Sequence, residues 1–294
     1  MPGRRRGEPL PLRLRACCRL RVKRLCTTLS VSRSGYYAWK KRPVCDRAKR
    51  DEHLAGLIST IPANSRTTYG SPRVHAELKR LGEPCGRKRV ARLMARDGLV
   101  GAHSRRKWRR GRPDVAPAPD LVNRNFGPGR ADELWGADVT QFHTAEGWLY
   151  FAGVVDLFSR RVVGWAMSHS PDADLVIDAL VMAFERRRPD ERIVHHSDRG
   201  AIYTSLAFGN RAAELGITRS FGSTGDCYDN AAVEAVWATF KRELAWIHGR
   251  RTWPTRDLLR SAIFDYIEGF YNPQRTQKRL GYRSPAEFEK AAVA

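Results

Sequence analysis

The chain has 294 residues, of which 42% are hydrophobic and 29% are charged, a balance typical of a folded protein with one large domain or two smaller ones. No apolar run approaches the ~18 residues that span a bilayer, so we expect no membrane-spanning segment. None of the six cysteines forms a C-x-x-C pair or has zinc-finger histidines nearby, which favours reduced thiols in a cytosolic protein over a disulfide-bonded or zinc-binding class.

The positive charge is concentrated at the front of the chain. Residues 1–120 hold 31 Lys+Arg and 9 Asp+Glu, whereas the remaining residues hold 22 of each, so the front carries the whole net charge of +22. A basic segment favours binding to a polyanion, because each phosphate that it neutralises releases a condensed counterion. The alternative is a basic face that only keeps the protein soluble. We therefore expect nucleic-acid binding mainly by residues 1–120 and chemistry in the neutral remainder.

Residues 1–21 are rich in arginine and contain a single acid. We interpret them as a basic arm, either a disordered DNA-binding segment or sequence translated from upstream of the true start, and we disfavour an organelle transit peptide. Residues 20–42 have the pattern of a helix-turn-helix with its turn at residues 30–32. The second helix of such a motif can enter the major groove, and a hairpin that only packs is the alternative. The predicted DNA contacts of this helix are Arg33, Lys40 and Lys41.

A second helical pair is predicted over residues 71–99. Ser71 is expected to cap its first helix, with Pro72 at the first helical position. The apolar face of that helix is predicted to consist of Val74, Leu78 and Leu81. The second helix is expected to turn Val90, Leu93 and Met94 inward and to end near Gly98. Its outward cations are Arg87, Lys88, Arg89, Arg92 and Arg96, of which the first four are predicted DNA contacts. A solvated basic face is the alternative.

We therefore assign residues 22–100 to a small all-α, helix-turn-helix DNA-binding region. Residues 101–131 follow as a basic, Pro-rich linker that has too few apolar residues to build a core. Its cations suit contact with a nucleic-acid backbone, and Trp108 among them suits base stacking. The predicted DNA contacts in the linker are Arg105, Arg106, Lys107, Arg109 and Arg110.

From residue 133 the pattern changes to one of strands and helices. Three strand-like runs, LWGADVTQF, WLYFAGVVDLF and RVVGWAMSH, precede a helix, a fourth strand (RIVHHSD), a helix and a fifth strand (ITRSF). A Gly-containing loop leads into the helix NAAVEAVWATFKRELAW, and a last amphipathic helix at 255–271 precedes a polar tail. This order indicates an α/β domain over residues 132–290, with a mixed sheet and flanking helices.

Three acids occupy positions where they are able to converge. Asp138 lies within an apolar strand, where a carboxylate is costly unless a cation binds it. Asp198 ends the fourth strand, and Glu234 lies on the helix after the loop, beside the predicted buried stripe of Val233, Val236, Trp237, Phe240 and Leu244. Carboxylates from separate elements suit Mg²⁺, and two such ions catalyse phosphoryl transfer. Helix caps and surface acids are the structural alternative.

Other polar residues near these acids are weaker candidates. Asp156 lies in a strand, and we expect a structural role in preference to a ligand role. His195 and His196 are expected to flank the site. Asp229 is predicted to cap the helix of Glu234, and the adjacent Asn230 of the same YDN sequence is a second candidate for this role.

Four ordered segments carry a family resemblance: WGADVTQF, EGWLYFAGVVDLFSRRVVGW, HHSDRGAIYTS and GDCYDNAAVEAVWATFKREL. Together they resemble the core of the retroviral-integrase superfamily, and most of all the second-frame (OrfB) product of bacterial insertion sequences of the insertion-sequence-three family. In that family 35 residues separate the last two acids, as they do between Asp198 and Glu234, and a basic residue follows seven later, as Lys241 does. SVSRSGYYAWKKRP upstream and the YNPQR tail extend the resemblance from near residue 22 to near residue 290.

The resemblance implies a ribonuclease-H-like fold and a transposase that cleaves DNA at the ends of a mobile element and transfers the strands to a target. Asp138 would bridge two Mg²⁺ ions, for which Mn²⁺ is a substitute, while Asp198 and Glu234 would each hold one. Lys241 would contact the terminal DNA. No covalent protein–DNA intermediate is implied, because water attacks first and a DNA 3′-hydroxyl attacks next.

The implied partners are double-stranded DNA, an upstream first-frame (OrfA) product or its frame-fused form, and further copies of this chain on DNA, without a membrane partner. Because the chain has no leucine-zipper heptads, we expect it to depend on the first-frame product. We expect a cytoplasmic protein that joins the nucleoid when bound to DNA. The sequence departs from the family at Arg275-Thr276-Gln277-Lys278, where a His is common. The alternatives are a non-catalytic DNA-end-binding regulator and a general ribonuclease-H-like nuclease.

Overall fold

The computed structural model describes residues 22–103, 128–221 and 231–293, and the chain divides into two compact units between Leu54 and Ala55. No helix in these ranges is long and apolar enough to cross a membrane. The predicted arm, most of the predicted linker and the Gly-containing loop lie outside the described residues.

The first unit begins with α1 (Val22–Thr28) and α2 (Arg33–Lys41) and includes the start of α3 (Asp46–Asn64). The predicted turn between α1 and α2 is confirmed. The Ser32 hydroxyl caps α2 by accepting a hydrogen bond from the Gly35 N–H at 3.0 Å, because the first N–H groups of a helix have no partner within it. α2 buries none of its residues, which leaves its cations at the surface of this unit.

The second unit contains α4 (Ser71–Arg80) and α5 (Arg87–Arg96), as predicted. Two details were wrong. Gly70 is the N-cap in place of Ser71, and no side chain caps the helix. Leu81 is 59% exposed because the helix ends at Arg80, so the buried residues of α4 are Val74, Ala76 and Leu78. In α5 the inward set of Val90, Leu93 and Met94 is confirmed, and Gly98 ends the segment with a φ of +68° that suits glycine.

The sheet has five strands: β1 (Leu134–Thr144), β2 (Gly147–Asp156), β3 (Val162–Ser168), β4 (Val194–Ser197) and β5 (Thr218–Phe221). Their order across the sheet is β3-β2-β1-β4-β5. The first three strands are antiparallel, and β4 and β5 run parallel to β1. This is the predicted mixed sheet, and its strand order is that of the ribonuclease-H-like fold. β1 therefore lies at the centre, between the antiparallel hairpins and the parallel strands.

Helices cover both faces of the sheet. On one face α6 (Ala173–Arg187) and α7 (Leu206–Glu214) pack on the odd-numbered residues of β1, such as Trp135 and Ala137. On the other face lies α8 (Ala231–His248), whose predicted buried stripe is confirmed in full. A Cβ on Gly136 or Gly153 would come within 2.5 Å of the side chains of Val233 or Trp237, so glycine at these positions lets α8 approach β1 and β2 closely.

The C-terminal part is more ordered than its polar sequence suggests. α9 (Arg256–Tyr266) continues into a π-helical turn (Ile267–Tyr271), and a 3-10 turn (Lys278–Leu280) and α10 (Pro285–Val293) follow. The hydroxyl of Tyr69 accepts the Thr276 N–H at 2.7 Å and donates to the Gln274 carbonyl at 3.2 Å. These bonds tie the segment before α4 to the tail within the second unit.

Candidate active site and the grooves beside it

Asp138 stands at the middle of the central strand, on the face that α8 covers. Because side chains alternate along a strand, it shares that face with Gly136 and Phe142, and it lies opposite Gly153 of β2. The side chain is half-buried, and its Oδ1 accepts the N–H of Val139 at 2.8 Å. The position thus places a carboxylate beside glycines over which α8 packs closely.

Burial raises the pKa of Asp138 to about 7. The negative charges of Asp198 and Glu234 act in the same direction, whereas the Val139 N–H and the Lys241 ammonium lower the pKa. The structure therefore brings Asp198, Glu234 and Lys241 within electrostatic reach of Asp138. A carboxyl so placed ionises at a free-energy cost unless a cation shares its environment.

The parallel pairing of β4 with β1 brings Asp198 to the region of Asp138. Gly136 pairs with His196, and Asp198, two residues after that pair, leaves the sheet close enough for its charge to act on Asp138. Asp198 is exposed, just beyond the end of β4, and its Oδ1 accepts the Gly200 N–H at 3.0 Å. Its place at a strand end, where side chains are reachable, agrees with the sequence prediction.

Glu234 lies in the first turn of α8 and is exposed. Its neighbour Val233 is buried against Gly136, so the helix is fixed to the sheet one residue before Glu234. The expectation that Asp229 and Asn230 cap this helix falls outside the described residues. Glu234 is therefore held at the sheet face, next to the strand of Asp138.

The donor set suits a hard divalent cation, because all three candidates supply carboxylate oxygens and the raised pKa of Asp138 marks a place where positive charge is favourable. Within the described ranges, however, no group of three or more His, Cys, Asp and Glu side chains is arranged to hold a metal ion. The structure thus places the three acids near one another on the sheet, but does not arrange their side chains as the ligands of one metal ion.

Lys241 lies two turns after Glu234, as the spacing predicted, and is half-buried. Its Nζ lies 5.3 Å from the centroid of the Phe142 ring, within reach of a cation–π contact. Burial lowers the pKa of Lys241, while the charge of Asp138 raises it. The ammonium thus stands between the acidic edge and the groove described next.

A groove of about 870 Å³ extends from Lys241 along the C-terminal half of α8. Its walls carry cations and aromatic rings and include no acid: they are lined by His103, Gln141, Phe142, His143, Lys241, Arg242, Trp246, Arg250, Arg251 and Trp253, among others. The indole N–H of Trp246 donates to the Thr67 carbonyl at 3.0 Å, which fixes this ring at the groove edge. Cations interleaved with aromatic rings are typical of surfaces that bind nucleic acid.

The remaining candidates occupy varied positions. Arg33, Lys40 and Lys41 are exposed, and so are Arg87, Lys88 and Arg92, whereas Arg89 is half-buried. Arg105, Arg106, Lys107, Arg109 and Arg110 lie outside the described residues. Whether any of these cations contacts DNA stays a prediction.

Asp156 and the two histidines have local partners that fit the structural interpretation. Asp156 is buried, and its carboxylate accepts the N–H groups of Asp132 and Ser159 and the hydroxyl of Ser159. His195 is buried against the rings of Tyr203 and Phe208, and burial lowers its pKa to about 4, so it is neutral at pH 7. Nδ1 of His196 lies 3.1 Å from the Ser220 hydroxyl.

Sequence reasoning missed two sets of residues near the acids. The first is the cations of the groove, such as Arg242, Arg250 and Arg251, since the neutral overall charge of residues 121–294 hid their clustering. The second is Tyr203, a buried residue whose pKa burial raises, with further contributions from Asp138 and Asp198. The HHSDRGAIYTS segment contains Tyr203, but only the fold shows that it faces the acids.

Comparison with known proteins agrees with this architecture. Residues 128–227 and 234–292 each match a family model described as an integrase core domain, and residues 49–107 match one described as an HTH-like domain. A transposase for insertion sequence element IS629 of Shigella sonnei is 40% identical, covering 92% of this chain and 92% of that protein. Transposase InsF for insertion sequence IS3A of Escherichia coli strain K12 is 35% identical, covering 93% of this chain and 95% of that protein.

Among solved structures, the HTLV-2 integrase catalytic core domain in complex with magnesium (trimeric form) is 16% identical, with a TM-score of 0.42, covering 54% of this chain and 97% of that chain. The strand order of this chain carries the fold assignment by itself. The identity and coverage of the transposase relatives, together with the integrase-core and HTH-like matches, carry the family. This chain belongs to the integrase-core transposases of bacterial insertion sequences related to IS3, a class of enzymes that cut and join DNA.

Proposed function

We propose that this transposase cleaves DNA at the ends of its insertion sequence and transfers the strands to target DNA, with Asp138, Asp198 and Glu234 as its catalytic acids. One observation carries the proposal: Asp138, on the central strand, has a pKa of about 7 that reflects its burial and the charges of Asp198 and Glu234. A half-buried carboxyl group whose pKa is raised by burial and by neighbouring acids is typical of a catalytic site.

In the proposed reaction Asp138, Asp198 and Glu234 would hold two divalent ions, Mg²⁺ or its substitute Mn²⁺. Such ions activate the attacking oxygen and stabilise the leaving oxygen of a phosphodiester. Asp138 loses its proton when it takes up this role, because only the carboxylate is a ligand.

The DNA is positioned by cations of this chain. The Lys241 ammonium lies between the acidic edge and the groove, where it neutralises a phosphate next to the bond that reacts. The groove receives the strand that continues from that phosphate, and its aromatic rings suit stacking of bases. The exposed cations of α2 and α5 bind the duplex away from the reacting bond.

The proposed partners are double-stranded DNA, an upstream first-frame product or its fused form, and further copies of this chain on the DNA. We place the protein in the cytoplasm, at the nucleoid when it is bound to DNA. The alternative function is that of a DNA-end-binding regulator without catalysis. The three acids at one sheet edge argue against this alternative, because a protein that only binds DNA gains nothing from a buried carboxylate there.

The test uses oligonucleotides that carry the element ends, with purified chain, Mg²⁺ and, in a second set, the upstream partner. Wild type is expected to nick the ends and join them to target, and Asp138→Ala, Asp198→Ala and Glu234→Ala are expected to bind the ends without cleaving them. Asp178→Ala is the matched control, because Asp178 is exposed on α6, across the sheet from α8. Cleavage by all three variants would refute the assignment, and binding without cleavage by wild type in both sets would favour the regulator.

A further inference from the structure

A second basic cavity lies on the other side of α8. It measures about 540 Å³ and is lined by Arg73, Arg160, Ala232, Ala235, Val236, Thr239, Tyr271, Arg275, Gln277, Lys278 and Arg279. At 100° per residue, Thr239 points about 140° away from Glu234 around the helix axis. The cavity is therefore separate from the acidic edge and from the groove beside Lys241, and small side chains of α8 leave the space.

Among the residues that the structure describes, the lining contains five cations and no acid. Arg275 is neutralised from behind by Glu243, which is buried in the core, and Arg73 lies 3.7 Å from the same carboxylate. Lys278 and Arg279 are exposed, and neither has an acidic partner in the ranges that the structure describes. Glu243 thus compensates Arg275 and Arg73, and Asp156 acts on Arg160, so five cations face two acids and the cavity keeps a positive charge.

Arg160 forms the buried wall of the cavity and is only 7% exposed. Its Nη1 donates to the Ala232 carbonyl at 3.2 Å, but its Nε has no hydrogen-bond partner among the described residues. Its backbone is in the left-handed region, with φ of +62°, and the Tyr271 hydroxyl donates to its carbonyl at 3.1 Å. Burial lowers the pKa of Arg160, and the neighbouring charge of Arg279 lowers it further.

A buried guanidinium beside further cations is costly unless an anion joins them. The fixed arginines present several N–H donors to one space, an arrangement that suits the oxygens of a phosphate. The space is large enough for a nucleotide unit, since cavities that bind small ligands range from about 300 to 1,000 Å³. No aromatic face other than Tyr271 lines it, so it is suited to a backbone phosphate more than to a stacked base.

We propose that this cavity binds a backbone phosphodiester of the DNA that the transposase holds, on the side of α8 opposite the reacting bond. The inference rests on the proposed function, because it takes DNA as the substrate. The DNA would then lie on both sides of α8: against Lys241 beside the acids, and against Lys278 and Arg279 of the 3-10 turn at the mouth of the second cavity.

The test compares the double variant Lys278→Gln/Arg279→Gln with a matched control, Arg192→Gln/Lys290→Gln, which removes the same charges from exposed positions outside both basic cavities. All four side chains are exposed, so both variants are expected to melt near the wild-type temperature. Binding of end-containing duplex is measured by fluorescence anisotropy over a range of salt concentrations, without Mg²⁺. The slope of log K against log salt is expected to fall by about 1 to 2 in the cavity variant and to stay unchanged in the control.

A second arm identifies the source of the phosphate. Inorganic phosphate is added in place of chloride at equal ionic strength, and the melting temperatures of wild type and the cavity variant are compared. If the cavity variant shows the wild-type slope, the proposal is overturned, whatever phosphate does to the melting temperatures. Phosphate that stabilises only wild type would then mark the cavity as a site for free anions, and phosphate that stabilises both proteins equally would not. Nicking by wild type is assayed in parallel. A wild type that nicks while the slope is unchanged refutes this inference alone, and a lowered slope without nicking refutes the proposed function alone.

Discussion

Arg275 forms a two-point ion pair with Glu243: its Nε donates to Oε2 at 2.6 Å and its Nη2 donates to Oε1 at 2.7 Å. Both side chains are almost fully buried, and the Tyr266 hydroxyl adds a hydrogen bond to Oε2 at 2.8 Å. The pair joins the tail to α8, the helix that also carries Glu234 and Lys241. The segment that begins at Arg275 is therefore held against α8 by a buried ion pair.

Removing one partner of this pair is expected to destabilise the second unit strongly. Glu243→Ala leaves the Arg275 guanidinium buried and uncompensated, so the free energy of unfolding is expected to fall by about 3–5 kcal/mol. Urea unfolding followed by circular dichroism measures this. Glu185→Ala, an exposed acid on α6, is the control and is expected to change stability by less than about 0.5 kcal/mol. Equal losses in the two variants would contradict a structural role for the pair.

The same pair is expected to make the protein sensitive to acid. Burial alone would raise the pKa of Glu243, but the hydrogen bonds and charge of Arg275 outweigh burial and hold the pKa below its ordinary value. The folded protein thus binds this proton more weakly than the unfolded chain does. The stabilisation is present above the unfolded pKa of about 4.3 and is lost as the pH falls through the lower folded value.

The measurement is the melting temperature from pH 7 to pH 3 for wild type and Glu243→Gln. The difference between the two is expected to be constant above pH 5 and to shrink below pH 4.3, where wild type loses what the variant lacks. A difference that stays constant down to pH 3 would show that Glu243 does not titrate with folding.

The strands of the sheet could be predicted because the sequence pattern that specifies each strand is local. Each strand is an apolar run bounded by turn residues, and Asp138 falls at a strand position where an unpaired carboxylate is costly. α3 was not predicted, although Leu54, Ile58 and Ile61 are spaced along one helical face and are buried as that spacing implies. The signal for α3 was therefore present in the sequence.

The basic cavities and the tail were not predictable in the same way. Residues 121–294 have no net charge, yet Arg160, Arg250 and Arg279 face cavities without acids, while acids such as Glu243 pair elsewhere. This segregation arises from contacts between residues far apart in sequence, which composition does not record. DNA binding is therefore not confined to the front of the chain in our proposal, as the charge distribution had led us to expect.

Asp138→Asn is expected to stabilise the protein while it abolishes cleavage. Because folding raises the pKa of this carboxyl to about 7, the folded protein binds the proton more tightly than the unfolded chain does. Ionised Asp138 therefore costs stability above pH 7, and that cost fades as the pH falls toward the unfolded pKa of about 3.9. In EDTA, the variant is expected to gain up to about 4 kcal/mol at pH 8 and much less at pH 4.5.

Melting temperatures at the two pH values measure this gain, with Asp178→Asn as the exposed control. A variant that is less stable than wild type at pH 8 would show that Asp138 is a structural residue and not a strained site residue.

Binding of a divalent metal ion is expected to offset the stability that the folded protein loses when Asp138 ionises. An ion that binds only the folded protein stabilises it by mass action, so Mg²⁺ at ten times its dissociation constant adds about 1.4 kcal/mol. The melting temperature of wild type at pH 8 is expected to rise with Mg²⁺, and those of Asp138→Asn and Asp198→Asn are expected to rise much less. An equal rise in all three proteins would mean that Mg²⁺ acts elsewhere on the chain.

The groove beside Lys241 is expected to contribute to DNA affinity independently of the chemistry. Arg250 and Arg251 are exposed on its wall, and Arg250 lies 5.6 Å over the Trp253 ring, so replacing both by Gln removes charge without opening the core. Affinity for end-containing duplex at low salt is expected to fall about tenfold or more, with a shallower salt dependence, because two phosphate contacts are lost. Arg192→Gln/Lys290→Gln removes the same charge from exposed positions outside both basic cavities and is expected to bind like wild type. Asp138→Ala is expected to keep both affinity and salt dependence, since it removes a negative charge from the reacting edge alone. If the groove variant binds DNA as tightly as its control, the DNA strand does not follow the groove away from the three acids. Lys241 is then the last cation of the groove that the strand contacts.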